Sequence, residues 1–279
     1  MSQPESQIQP EITDYRTSPI EPNVQQAEPA RLGPLQRLMG VLFSPGETFQ
    51  DINRKPTWLA PMVISIVLGA CGSLFVNWWI NPDWNRITRD MIRQQVNRGG
   101  PELTEEQIQQ RVRIQQIIGK VIPLGIVAIV PIASLIIGGI YALGMMLMQA
   151  QTTFKKVLSV LLWTSCSVGL VNGIVTNASL MVRDRESLNA IKNPMDPGSL
   201  SATNLGVVLG SDTSPVLMAL ASSVDLFSIW SMILMAIGLA AIAGSRKITT
   251  KKTATLVVSL WVVVVLLRVL GAVAFGGGR

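Results

Sequence analysis

The chain has 279 residues, 48% of them apolar and only 14% charged, with a formal net charge of +6, where a soluble domain usually carries about 25% charged residues. It contains no histidine and two cysteines, which removes His-based acid/base catalysis, His metal ligation and Ser-His-Asp triads, as well as a disulfide framework. The apolar residues are also clustered: no charge interrupts Pro56 to Pro82, Val121 to Phe154, or Val157 to Val182, each stretch longer than the ~20 residues a helix needs to cross a bilayer. These features predict an all-α, polytopic membrane helix bundle.

Residues 1–33 are rich in Gln, Pro, Glu and Ser and predict a disordered, acidic tail. They hold no apolar signal-peptide core, so the first span is expected to serve as an uncleaved anchor. The remaining residues, 34–279, are read as one membrane domain. Leu35, Leu38, Met39, Val41, Leu42 and Phe43 lie beside Arg31 and Arg37, a pattern for an interfacial helix. Ser44-Pro45-Gly46-Glu47 has the form of a capping box that starts a second helix, with Phe49 and Ile52 on one face. Arg54, Lys55 and Trp58 stand where the chain enters the bilayer.

Five transmembrane helices are predicted, at about 59–80, 121–148, 157–181, 215–244 and 253–275. After the first, Trp78 and Trp79 fit an interfacial aromatic belt and Asn81-Pro82 a stop. Residues 83–120 predict an amphipathic helical hairpin. Asp83 caps its first arm, Gly99-Gly100-Pro101 breaks it, and Thr104 with Gln107 caps the second. The hairpin is expected to rest on the membrane surface, its second arm running into the second span; a partner-binding helix pair is the alternative. The second span holds Gly138, Gly139 and Gly144. The third has a G-x-x-x-G spacing at Gly169 and Gly173, which permits close helix approach. Asn172 and Asn177 in the same span are too polar to face lipid and should point inward.

The two short turns, 149–156 and 245–252, carry six basic residues and no acid. Positive residues favour the cytoplasmic side, so the N-terminus is placed there. The 83–120 segment, with seven basic residues and five acids, argues the other way but is longer and mixed in charge. Asp225 and Arg268 are ionisable groups deep in the fourth and fifth spans, each expensive alone at ~2.5–3.5 kcal/mol on insertion scales. The expectation is that they pair, to fix packing or to form a gate, proton site or substrate site; the alternative is an arginine that snorkels outward alone.

Leu42-Phe43-Ser44-Pro45-Gly46-Glu47-Thr48-Phe49 and Lys55-Pro56-Thr57-Trp58-Leu59-Ala60-Pro61 resemble the opening of bacterial members of the Yip family. Leu103-Thr104-Glu105-Glu106-Gln107 is similar too, as is Val224-Asp225-Leu226-Phe227-Ser228-Ile229-Trp230 with Gly238-Leu239. The resemblance covers about residues 35 to 275. It implies a five-span bundle with a cytoplasmic N-terminus, in a bacterial inner membrane. Eukaryotic relatives bind Rab-type GTPases and act in vesicle traffic; no residue pattern here points to a GTPase.

Three function classes follow. A non-enzymatic scaffold or adaptor in membrane organisation fits the tail, the amphipathic helices and the missing reactive constellations. A small-solute or ion transporter component fits Asp225, Arg268, Asn172 and Asn177, although five spans do not divide into inverted repeats. An intramembrane enzyme is disfavoured, since no second deep Asp, no base beside a serine and no phosphate loop is present. No catalytic residue, metal site or cofactor is expected. The expected partners are the lipid bilayer, membrane or cytoplasmic proteins and a second copy of the chain. The basic pI of about 9.7 is assigned to juxtamembrane cations facing anionic lipid, not to nucleic acid.

Overall fold

A computed structural model describes residues 32–81, 83–97, 99–184, 203–209 and 213–276; the acidic tail lies outside them. The described chain is helical: α1 (Pro34–Phe43), α2 (Pro45–Arg54), α3 (Leu59–Ile80), α4 (Trp84–Asn97), α5 (Glu105–Leu147), α6 (Phe154–Val182), a 3-10 turn (Leu205–Val208), α7 (Pro215–Ser223), α8 (Leu226–Ala241) and α9 (Thr250–Gly276). Four of these helices contain stretches long and apolar enough to cross a membrane, Leu59–Ile80, Val127–Leu147, Phe154–Val182 and Thr250–Val273.

The predicted fourth span is not one helix. It divides into α7 and α8 around Val224 and Asp225. Two local forces favour the break. The Ser222 and Ser223 hydroxyls donate back to the Ala219 carbonyl, and Asp225 offers the next turn a cap. At 16 residues, α8 is about 24 Å long and falls short of the ~30 Å hydrocarbon core. Both α7 and α8 pack along α9. The Gln151 N–H donates to the Ala243 carbonyl at 2.9 Å, which brings the two basic turns to the same end of the bundle.

That end also holds the main core. Val41, Phe49, Met145, Val157, Trp163, Leu239, Ile242 and Val257 are buried in one cluster. They come from α1 and α2, the end of α5, the first half of α6, the last half of α8 with the residue that follows it, and the start of α9. Thus α1 and α2 are not purely interfacial. Their Val41, Phe49 and Ile52 are completely buried, and they pack on α6 and α8. Only Leu35, Met39 and Phe43, one turn apart on α1, keep an exposed apolar stripe. Burying a Phe or Ile from an aqueous or interfacial helix is worth about 1.5–3 kcal/mol. Helices already in lipid gain no such term and associate by close packing. Glycine provides it here: a Cβ on Gly238 would stand 2.5 Å from Val160 and 3.0 Å from Phe49, and one on Gly144 would stand 2.6 Å from Leu256. Gly169 and Gly173 do not fill this role, since among the described residues nothing lies within 4 Å of a Cβ at either.

At the far end the packing is sparser. Ile80 and Leu180 form a small separate cluster, and the Trp79 indole donates to the Leu180 carbonyl at 3.0 Å. The helical hairpin continues from here. Asp83 caps α4 through the Arg86 amide, and Thr104 and Gln107 form a reciprocal capping box. By contrast Ser44 makes no side-chain cap to α2. The second arm and the second span are one 43-residue helix. Its first sixteen residues, Glu105 to Lys120, add about 24 Å of helix beyond the apolar run. The second arm therefore runs into the second span as one continuous helix, as expected. α4 lies along it, burying Ile87, Thr88, Ile92 and Val112.

Candidate functional site

The break between α7 and α8 positions Asp225. One carboxylate oxygen accepts the Phe227 and Ser228 amides at 2.9 and 3.1 Å, and the other accepts the Thr203 hydroxyl at 2.5 Å. Backbone broken inside a membrane protein must find substitute partners. The segment 203–209 supplies them: the Leu205 amide donates to the Val224 carbonyl at 3.1 Å, and buried Asn204 forms an antiparallel bridge with Asp225. Asp225 is therefore a helix cap that also ties down a loop.

The expected pairing with Arg268 is not formed. Arg268 is exposed on α9 and makes no ion pair with Asp225. The physical reason is that the half-helix N-terminus supplies amide donors and a favourable dipole to the carboxylate. The long arginine can reach the membrane boundary by itself.

Asn172 and Asn177 sit half-buried on α6. Asn172 accepts the Thr176 hydroxyl at 3.2 Å, and the Asn177 amide donates to the Gly173 carbonyl at 2.7 Å. Both bond along their own helix, but Asn177 Oδ1 is buried without a hydrogen-bond partner among the described residues. Asn177 lines a cavity of about 860 Å³ between α3, α5 and α6, with Gly169, Gly173, Cys71 and Cys166. Asp225 and Arg268 do not line it, so the four polar residues singled out in the sequence do not converge on one site.

A buried ionic latch lies instead at the N-terminal end. Arg37 on α1 donates through Nε and Nη2 to Asp51 Oδ2 at 2.9 and 2.7 Å, and through Nη1 to the Lys55 carbonyl and the Thr57 hydroxyl at 3.1 and 2.6 Å. Thr57 in turn accepts the Trp163 indole through its carbonyl at 3.0 Å. Both charged side chains are almost fully buried. The sequence signal was Asp51, an acid between Phe49 and Ile52 on the apolar face of its helix; Arg37 alone reads as one more juxtamembrane cation. Around this latch lie Arg54, Lys55, Lys155, Lys156, Arg246, Lys247, Lys251 and Lys252, on elements that meet at the same end. Among the described residues no cluster of His, Cys, Asp and Glu could hold a metal ion.

A family model described as the Yip1 domain matches residues 39–272. The chain is 29% identical to a Bacillus subtilis (strain 168) protein named "Membrane protein YknW", over 75% of this chain and 80% of that one. No solved structure matches it. The opening motif, the Val224–Trp230 segment around the break and the helical membrane architecture all fall within the matched residues. The chain is a multi-pass membrane protein that belongs to the Yip1-domain family.

Proposed function

We propose that this protein is a non-enzymatic membrane scaffold, inserted in the bacterial inner membrane with its N-terminus in the cytoplasm. The observation that carries this reading is the hairpin. α5 runs unbroken from the apolar span into an arm paired with α4, and the pair leaves Met91 of α4 and Ile114, Ile117 and Ile118 of α5 exposed. Such a stripe beyond the lipid suits a protein partner or a second copy. The cytoplasmic assignment follows from the basic turns gathered at the latch end.

A transporter component is the second reading. Its support is the broken α7–α8 crossing, since transporters build sites at interrupted helices. Ion and small-solute flux into proteoliposomes, wild type beside Asp225→Asn, separates the two. The scaffold reading predicts no flux above protein-free vesicles in either. Wild-type flux abolished by the substitution would overturn it and place a conduction site at the break.

A further inference from the structure

We infer that the groove between α3, α5 and α6 seats an acyl chain of a phospholipid from the leaflet farther from α1 and α2. The groove holds about 860 Å³, within the ~300–1,000 Å³ range of small-ligand sites. It is lined on α3 from Ser65 to Phe75, on α5 by Val130 and Ser134, and on α6 from Leu162 to Met181. Its far mouth lies beside Trp78 and Trp79, and Trp79 is fixed to Leu180. Interfacial tryptophans mark the headgroup level.

From Trp79 to Ser65 is fourteen residues of helix, about 21 Å. The half-thickness of the hydrocarbon core is ~15 Å, so one extended chain runs the groove from the interface to beyond the midplane. The floor suits a thin, apolar guest. Gly169 and Gly173 leave open space above bare backbone among the described residues, and the Ser134 hydroxyl and the Asn177 side-chain N–H turn hydrogen bonds back onto their own helices, although Asn177 Oδ1 has no partner among the described residues. The rim suits an anionic phosphate: Arg183 follows two residues beyond Met181, half-buried at the end of α6. Among the described residues it has no ion-pair partner.

The test uses the full chain in phosphatidylglycerol vesicles that carry a photoreactive group at one of two depths on the acyl chain. Cross-links are mapped by peptide mass spectrometry. A group beside the ester carbonyl should label near Met181, and one at the chain terminus near Ser65 and Leu162. Both should label the groove several-fold above the exposed α9 residues Val263 and Leu267. Gly169→Leu with Gly173→Leu, which fills the groove from open positions, should reduce groove labelling about five-fold or more and leave α9 unchanged. If those variants fail to fold, the depth pattern in wild type decides alone. Equal labelling of α9 and the groove would mean annular lipid only and overturn the inference. So would an unlabelled groove combined with a Cys71–Cys71 cross-linked dimer, which would seat a second copy there.

Discussion

Asp225 shows how a charge inside a membrane span can have a structural task. Its two amide bonds and its bond to Thr203 need an acceptor of that shape, not a negative charge as such. Asn caps helices about as well as Asp, whereas Ala costs about 0.5–2 kcal/mol. Asp225→Asn should therefore leave thermal stability in detergent nearly unchanged, while Asp225→Ala lowers it measurably. Equal losses in both would show that the charge itself holds the fold. Arg37 makes the opposite prediction. Removing it breaks a buried, hydrogen-bonded charge pair with Asp51, for which a loss of about 3–5 kcal/mol is expected. Arg37→Ala should detach α1 and α2, seen as protease cleavage near Ser44. Arg37→Lys should recover little, because lysine cannot bond Asp51, Lys55 and Thr57 together. Undiminished resistance to protease in Arg37→Ala would refute the latch. Of these two residues, only Asp225 stood out in the sequence, because a lone acid in an apolar run is conspicuous. The Arg37 latch is a contact across two helices, and spacing along the chain does not report it.

The elements divide by whether their signals are local. The Thr104 capping box formed because its two partners are three residues apart. The apolar runs gave α3, α6 and α9 because length against bilayer thickness is a property of a single segment. The break at Asp225 was hidden, since hydropathy is blind to a polar cap inside an apolar run. The loop that satisfies the break comes from twenty residues away in sequence. The open Gly169 and Gly173 were hidden for a similar reason: a G-x-x-x-G spacing permits approach without saying which helix arrives. In the hairpin, Arg89 donates to both oxygens of Glu105. That bond first, and the one from Gln109 second, hold the Glu105 carboxyl below the usual carboxylate range. A lowered folded-state value means the stabilisation is present above the unfolded value of ~4.3 and fades as pH falls through the folded value. The pair is exposed to solvent, so the effect is small. Hydrogen exchange, corrected for intrinsic rates, should show α4 protection declining slightly below about pH 4 in wild type. Glu105→Gln should show no such decline; an identical decline in both would remove the pair from the account.

For the whole molecule, one asymmetry organises the rest. The bundle is closed by a continuous core where α1, α2, α6, α8 and α9 meet, and looser at the end from which the hairpin projects. Basic turns gather at the closed end, and the groove opens toward the other. This arrangement requires α7 and α8 to carry the chain back across the bilayer despite the break. Single cysteines at Gly46, Gly99 and Ser245, each in a Cys71→Ala, Cys166→Ala background, test that requirement in intact cells with a membrane-impermeant maleimide. The account predicts that Gly99→Cys is labelled from outside, and that Gly46→Cys and Ser245→Cys react only after permeabilisation. Ser245→Cys labelled from outside together with Gly99→Cys, with Gly46→Cys still protected, would mean that α7 and α8 do not cross, and would contradict the five-crossing bundle.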